Sequence, residues 1–124
     1  MTFAFWCVLA ATMLPFLWGT LSKATKAYDN SQPRLQQKMG WRQRADWAQQ
    51  NSWEAFAPFA AAVLIAHVLH VAQPTIDWLA GLFILFRLAY GIAYIANLAT
   101  LRSLIWTGGI ACVVGLYIAA AKVA

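Results

Sequence analysis

Residues 76–98 read IDWLAGLFILFRLAYGIAYIANL, and only Asp77 and Arg87 among them are charged. A helix needs about 20 mostly apolar residues to cross a hydrocarbon core roughly 30 Å thick, so this stretch is long enough to span one. A lone strand in lipid would leave its backbone amides and carbonyls unpaired, which makes a helix the only economical conformation. Working outward, residues 53–72 and 104–121 have the same character, as do residues 3–21 near the N-terminus. Gln73-Pro74-Thr75 reads as a short turn between two of these runs, and Ala99-Thr100-Leu101 as another. Short connections make sequential helices antiparallel neighbours. The expected fold is therefore an all-α integral membrane protein, a single domain (1–124) forming an antiparallel bundle of four transmembrane helices.

Composition agrees. Of 124 residues, 62% are hydrophobic and 10% charged, with a mean hydropathy of +0.59. Soluble domains carry about 25% charged residues, so a soluble enzyme or a disordered chain is excluded. Cys7 and Cys112 lie in apolar runs without metal-ligand spacing and read as small buried or lipid-facing residues. The first run has no basic segment before it and no small-residue cleavage site after it, so it reads as an anchor and not as a signal peptide.

The net charge of +5 is concentrated: Lys23, Lys26, Arg34, Lys38, Arg42 and Arg44 supply six of the nine basic residues. All six fall in the polar segment 22–50, which Asp29-Asn30-Ser31-Gln32-Pro33 punctuates as a loop and which turns helical again from about Met39. Basic loops stay on the cytoplasmic side of a membrane, so this segment is expected there, and no nucleic-acid partner is needed to explain it. The connection carrying Asp77 then lies outside, and the one carrying Arg102 returns inside. Trp6 and Trp78 fall at outer ends, while Trp18, Trp53 and Trp106 fall at inner ends, as an interfacial aromatic belt requires.

Polar residues within the spans single out a site. Arg44, Trp47, Asn51, Glu54 and Pro58 recur every three or four residues and share one helical face. Arg87, Tyr90, Tyr94 and Asn97 do the same on the third span. A buried arginine must face protein, and Glu54 is the only carboxylate within reach of the embedded stretches; counting depth puts Arg87 below Glu54, so contact needs tilt or a snorkelling side chain. Arg102-Ser103 opens the fourth span and offers a cation, a hydroxyl and first-turn amides to an anion. His67 and His70 lack further ligands, so they read as hydrogen-bonded core or interfacial histidines and no metal site is expected. No carboxylate stands in the first span, which argues against a proton-coupled four-helix exporter. What remains suits a membrane amphiphile with an anionic head.

The run RADWAQQNSWEAFAPF, with Arg44, Asn51, Glu54 and Pro58, resembles the second-helix signature of the MAPEG family, the membrane-associated proteins of eicosanoid and glutathione metabolism. Arg87, Tyr90 and Tyr94, followed by Arg102-Ser103, resemble its third- and fourth-helix pattern. The resemblance implies a homotrimer, a bacterial-type member in the inner membrane with the first loop cytoplasmic, and a glutathione-dependent transferase or peroxidase acting on lipophilic electrophiles. It makes Arg44, Asn51, Glu54, Tyr90 and Tyr94 candidate glutathione contacts, Arg102 and Ser103 the catalytic pair that holds the thiolate, and Arg87 a structural intramembrane charge. Four positions depart from the pattern of active members: Trp47 and Gln50 stand where basic residues occur, Trp106 where a tyrosine is usual near the start of the fourth helix, and Tyr90 where a histidine or other polar residue is usual on the third. That departure leaves open a non-enzymatic trimer of the same fold binding membrane lipid, a lipophilic small molecule or a protein partner.

Overall fold

The computed structural model describes residues 1–124 as four helices, α1 (Phe3–Ser22), α2 (Trp41–Val68), α3 (Gln73–Ile95) and α4 (Ala99–Val123). Contacts between their ends give an up-down-up-down bundle. Phe5 stacks on His67 and Phe16 meets Trp53 edge-on, so α1 and α2 are antiparallel. Ala4 bonds to Asp77 and Trp18 packs on Gly91, so α1 and α3 run parallel. Phe86 covers Gly108 and Leu79 covers Gly115, which sets α4 antiparallel to α3.

α1, α3 and α4 are long and apolar enough to cross a membrane. α2 is longer still, at 28 residues, but polar residues from Arg42 to Glu54 dilute its first half. It begins twelve residues before the apolar run that starts at Trp53, so residues 41–50 belong to the helix and the long connection shrinks to 23–40. Gly40 makes this start possible: its φ of +60° combined with a ψ of −134° is open only to a residue without a Cβ.

Both short turns differ from the sequence expectation for one reason. α2 stops at Val68 and α3 at Ile95 because His70 and Asn97 adopt left-handed φ of 59° and 62°. Val71 N–H then reaches back to Ala66 and His70 N–H to His67, at 3.0 and 3.1 Å. Leu98 and Asn97 repeat the pattern onto Ala93 and Tyr94, at 2.9 and 3.1 Å. These paired bonds satisfy carbonyls that a helix end leaves orphaned. Gln73 and Pro74 accordingly start α3 and are not the turn, since proline's missing N–H is harmless in a first turn. Ala99–Leu101 likewise open α4. Asn97 terminates α3 and does not extend its Arg87–Tyr94 face.

The central core is built around Phe59 and Phe83, stacked at 3.9 Å, with Val63, Ile76 and Leu116 fully buried beside them. Nearer the long loop, small residues allow closer approach. Ala45, Ala48 and Ser52 line the inner face of α2, and Gly91 admits the buried indole of Trp18. Helix association in lipid depends on such packing, because lipid chains are as apolar as the side chains they replace. Trp18 is thus a core residue and not the belt residue expected from sequence, while Trp6, Trp53, Trp78 and Trp106 are exposed. Cys7 and Cys112 are buried free thiols.

Candidate functional site

The polar residues of α2, α3 and α4 converge near the long-loop end of the bundle. Arg87 is 3% exposed, and the helical period of α3 turns it toward α2. Its Nη2 donates to Asn51 Oδ1 at 2.8 Å and, more weakly, to Ser52 Oγ at 3.4 Å. The Ser52 hydroxyl donates its own hydrogen bond to Ala48 O at 2.8 Å. Asn51 in turn donates to Glu54 Oε2 at 3.1 Å. Glu54 is therefore linked to the buried cation through an amide and not as its direct partner; the single ion pair within 4.0 Å is Lys38–Asp46. The contact that depth counting made doubtful is avoided because the long Arg87 side chain meets α2 one turn before Glu54.

A second motif runs alongside. The Arg87 guanidinium lies over the Tyr90 ring at 4.4 Å, and that of Arg102 over the Tyr94 ring at 4.2 Å. The two tyrosines meet edge to face at 5.6 Å, and Trp47 leans on Tyr94 at 6.3 Å. An aromatic face attracts a guanidinium through its quadrupole and leaves the in-plane N–H donors free for another partner. Neither tyrosine hydroxyl is bonded within the chain. Between these walls lies an open cavity of about 350 Å³, lined by Trp47, Gln50, Asn51, Glu54, Tyr90 and Tyr94.

Of the residues expected from sequence, Asn51, Glu54, Tyr90 and Tyr94 line this cavity; Arg87 and Arg102 do not line it but stack on Tyr90 and Tyr94. Arg44 and Ser103 do not reach it. Arg44 Nε donates to Ile95 O at 3.0 Å, satisfying the last turn of α3, as Arg42 does for Ser22 at the end of α1 at 3.2 Å. Ser103 is exposed, and its hydroxyl bonds back to Ala99 O at 3.2 Å. Because α4 starts at Ala99, the Arg102 amide is already bonded to Leu98 O at 2.9 Å, and the free first-turn amides lie before it. Ser52 was missed as a partner of Arg87. The signal for it was the small-residue spacing Ala45, Ala48, Ser52 that marks the inner face of α2.

The histidines are accounted for structurally. His67 bonds to Thr2 Oγ1 at 3.1 Å and Val63 O at 2.8 Å, while His70 ends α2.

The MAPEG family model matches residues 3–122, nearly the whole chain, and the protein belongs to the MAPEG family. Comparison with curated proteins and with solved structures finds no match.

Proposed function

We propose that this membrane protein binds glutathione at the α2–α3 cavity and uses it as a transferase or peroxidase on lipophilic electrophiles. The observation that carries the reading is a cavity lined from α2 and α3 by an amide, a carboxylate and two tyrosines, each tyrosine carrying a guanidinium stacked on its ring, Arg87 on Tyr90 and Arg102 of α4 on Tyr94. Glutathione presents carboxylates, an ammonium and a thiol. Asn51 and the Tyr90 and Tyr94 hydroxyls supply polar contacts to the peptide, and Glu54 faces the ammonium. Arg102 stabilises the thiolate, since a nearby cation lowers a thiol pKa and so makes the nucleophile. Arg44 fixes the end of α3 beside the site, and Ser103 is an adjoining donor once its hydroxyl turns from Ala99. The lipophilic electrophile arrives from the bilayer.

The same reading makes α2 the fourth spanning helix, since it runs beside α1 from Trp53 to His67. It places the basic 23–40 loop on the cytoplasmic side of a bacterial inner membrane. Homotrimer formation covers the outer face of α2, where Gln50 and Glu54 stand exposed and are costly against lipid.

A second reading has its own observation. Trp47 and Gln50 give the outer cavity wall no cation, which suits a non-enzymatic trimer binding lipid or a protein partner. Thermal-shift titration of the detergent-purified protein with glutathione and S-hexylglutathione separates the two. A saturable rise in melting temperature, lost in Arg102→Ala and Asn51→Ala, is expected for the first. No rise up to about 10 mM ligand sinks it and favours the second.

A further inference from the structure

The opposite end of the bundle carries a larger and quite different cavity. α1 and α3 run parallel there, and a slot of about 580 Å³ opens between them, within the roughly 300–1,000 Å³ of small-molecule pockets. Trp6, Cys7, Trp78, Gly81 and Leu85 line it, and eight of its ten lining residues are hydrophobic. Gly81 leaves room at the wall: a Cβ there would stand 3.1 Å from the Phe3 ring.

One lining residue breaks the pattern. Asp77 Oδ1 accepts from Ala4 N–H at 2.9 Å and from Gln73 Nε2 at 2.8 Å. It thereby caps the N-terminus of α1 from the neighbouring helix. Its second oxygen has no hydrogen bond within the chain, and neither Lys122 nor either histidine forms an ion pair with it. A carboxylate at the edge of an apolar slot in a membrane is costly unless a donor meets it. Trp6 and Trp78 flank the slot and are 55% and 71% exposed, and tryptophans at the end of a spanning helix favour headgroup depth.

We propose that the slot seats an acyl chain of a phospholipid bearing a primary ammonium headgroup, with the ammonium against Asp77. The apolar lining selects a hydrocarbon chain. The unshared carboxylate oxygen selects the head: an anionic phosphoglycerol is repelled, and a quaternary choline has no N–H to donate. An ethanolamine ammonium offers both charge and hydrogen bonds. This site is separate from the polar cavity, and it stands whether or not glutathione binds there.

Native mass spectrometry of the delipidated full chain tests it. The probes are palmitoyl-oleoyl phosphatidylethanolamine, phosphatidylcholine and phosphatidylglycerol, titrated separately. The wild type is expected to retain one ethanolamine lipid per chain at several-fold lower concentration than the other two. Asp77→Asn keeps an acceptor for the Ala4 amide and removes the charge, so the preference should vanish while the fold persists. Gly81→Leu fills the slot and should weaken retention of all three lipids. Equal retention of the three headgroups by the wild type overturns the proposal, and so does a preference that survives in Asp77→Asn. A change in oligomer mass on Gly81→Leu, with lipid retention unchanged, assigns the slot to a second copy of the chain and also overturns it.

Discussion

Arg87 reaches across from α3 to donate to Asn51 on α2 at 2.8 Å, and this bond joins the buried cation to the polar cavity. Asn51 holds its amide in that orientation by donating to Glu54 on its other side. A neutral amide thus stands where an ion pair was the simple expectation, and Glu54 remains exposed at the cavity.

Removing the acceptor should be worse than removing the charge. Asn51→Ala leaves Arg87 with only the long contact to Ser52, and hydrogen bonds to charged groups are worth about 1.5–3 kcal/mol. Arg87→Met deletes the charge together with its need for partners and should cost less, as apolar replacement of buried charges often does. Denaturant unfolding of both variants in the same micelle checks the order; equal losses would count against this account.

Gly91 is a steric requirement of Trp18. A Cβ at position 91 would lie 2.1 Å from the indole, whose ring is rigid and buried. Gly91→Ala should destabilise by about 1–3 kcal/mol through overpacking. Combined with Trp18→Leu it should cost less than the two single changes summed, a coupling that a double-mutant cycle measures directly.

The Arg102–Tyr94 stack predicts a graded effect on ligand. Tyr94→Leu removes a contact worth about 0.5–1 kcal/mol at an exposed site and should weaken glutathione binding several-fold with the fold intact. Arg102→Ala should abolish turnover. Arg102→Lys should restore it poorly, because an ammonium lacks the planar fork that stacks and donates at once. Calorimetric affinities and turnover numbers for the three variants provide the comparison.

Helix termination at left-handed residues is testable apart from function. Asn97→Gly and His70→Gly should be neutral or stabilising, since glycine adopts positive φ freely. Asn97→Val should lose about 1–2 kcal/mol, the penalty a Cβ meets there. Thermal melting of the three proteins is sufficient.

In the long loop, the Ser31 hydroxyl and amide both donate to Asp29, at 2.7 and 2.9 Å, and hold its carboxyl below the usual carboxylate range. A lowered folded pKa means that the ionised form supports the turn. That support is complete above the ordinary aspartate pKa and is lost as pH falls through the lowered one. A carboxyl carbon-13 titration should show a depressed midpoint that returns toward the ordinary value in Ser31→Ala.

Much of this protein was legible from residue order alone. Long apolar runs dictate helices because lipid offers the backbone no other partner, and spacing by three and four put Asn51 with Glu54 and Tyr90 with Tyr94 on shared faces. Helix ends were less legible, because His70 and Asn97 perform a task for which glycine is the usual signal. Pairing between helices was decided only in three dimensions. Whether Arg87 meets Asn51 or Glu54, whether Arg44 faces a cavity or the end of α3, and whether Trp18 lies in a belt or in the core all depend on axial register. Register is set by where small residues let helices approach, Ala48 and Ser52 on one helix and Gly91 on another. Periodicity defines the face a residue occupies; close packing across that face determines which residue it meets.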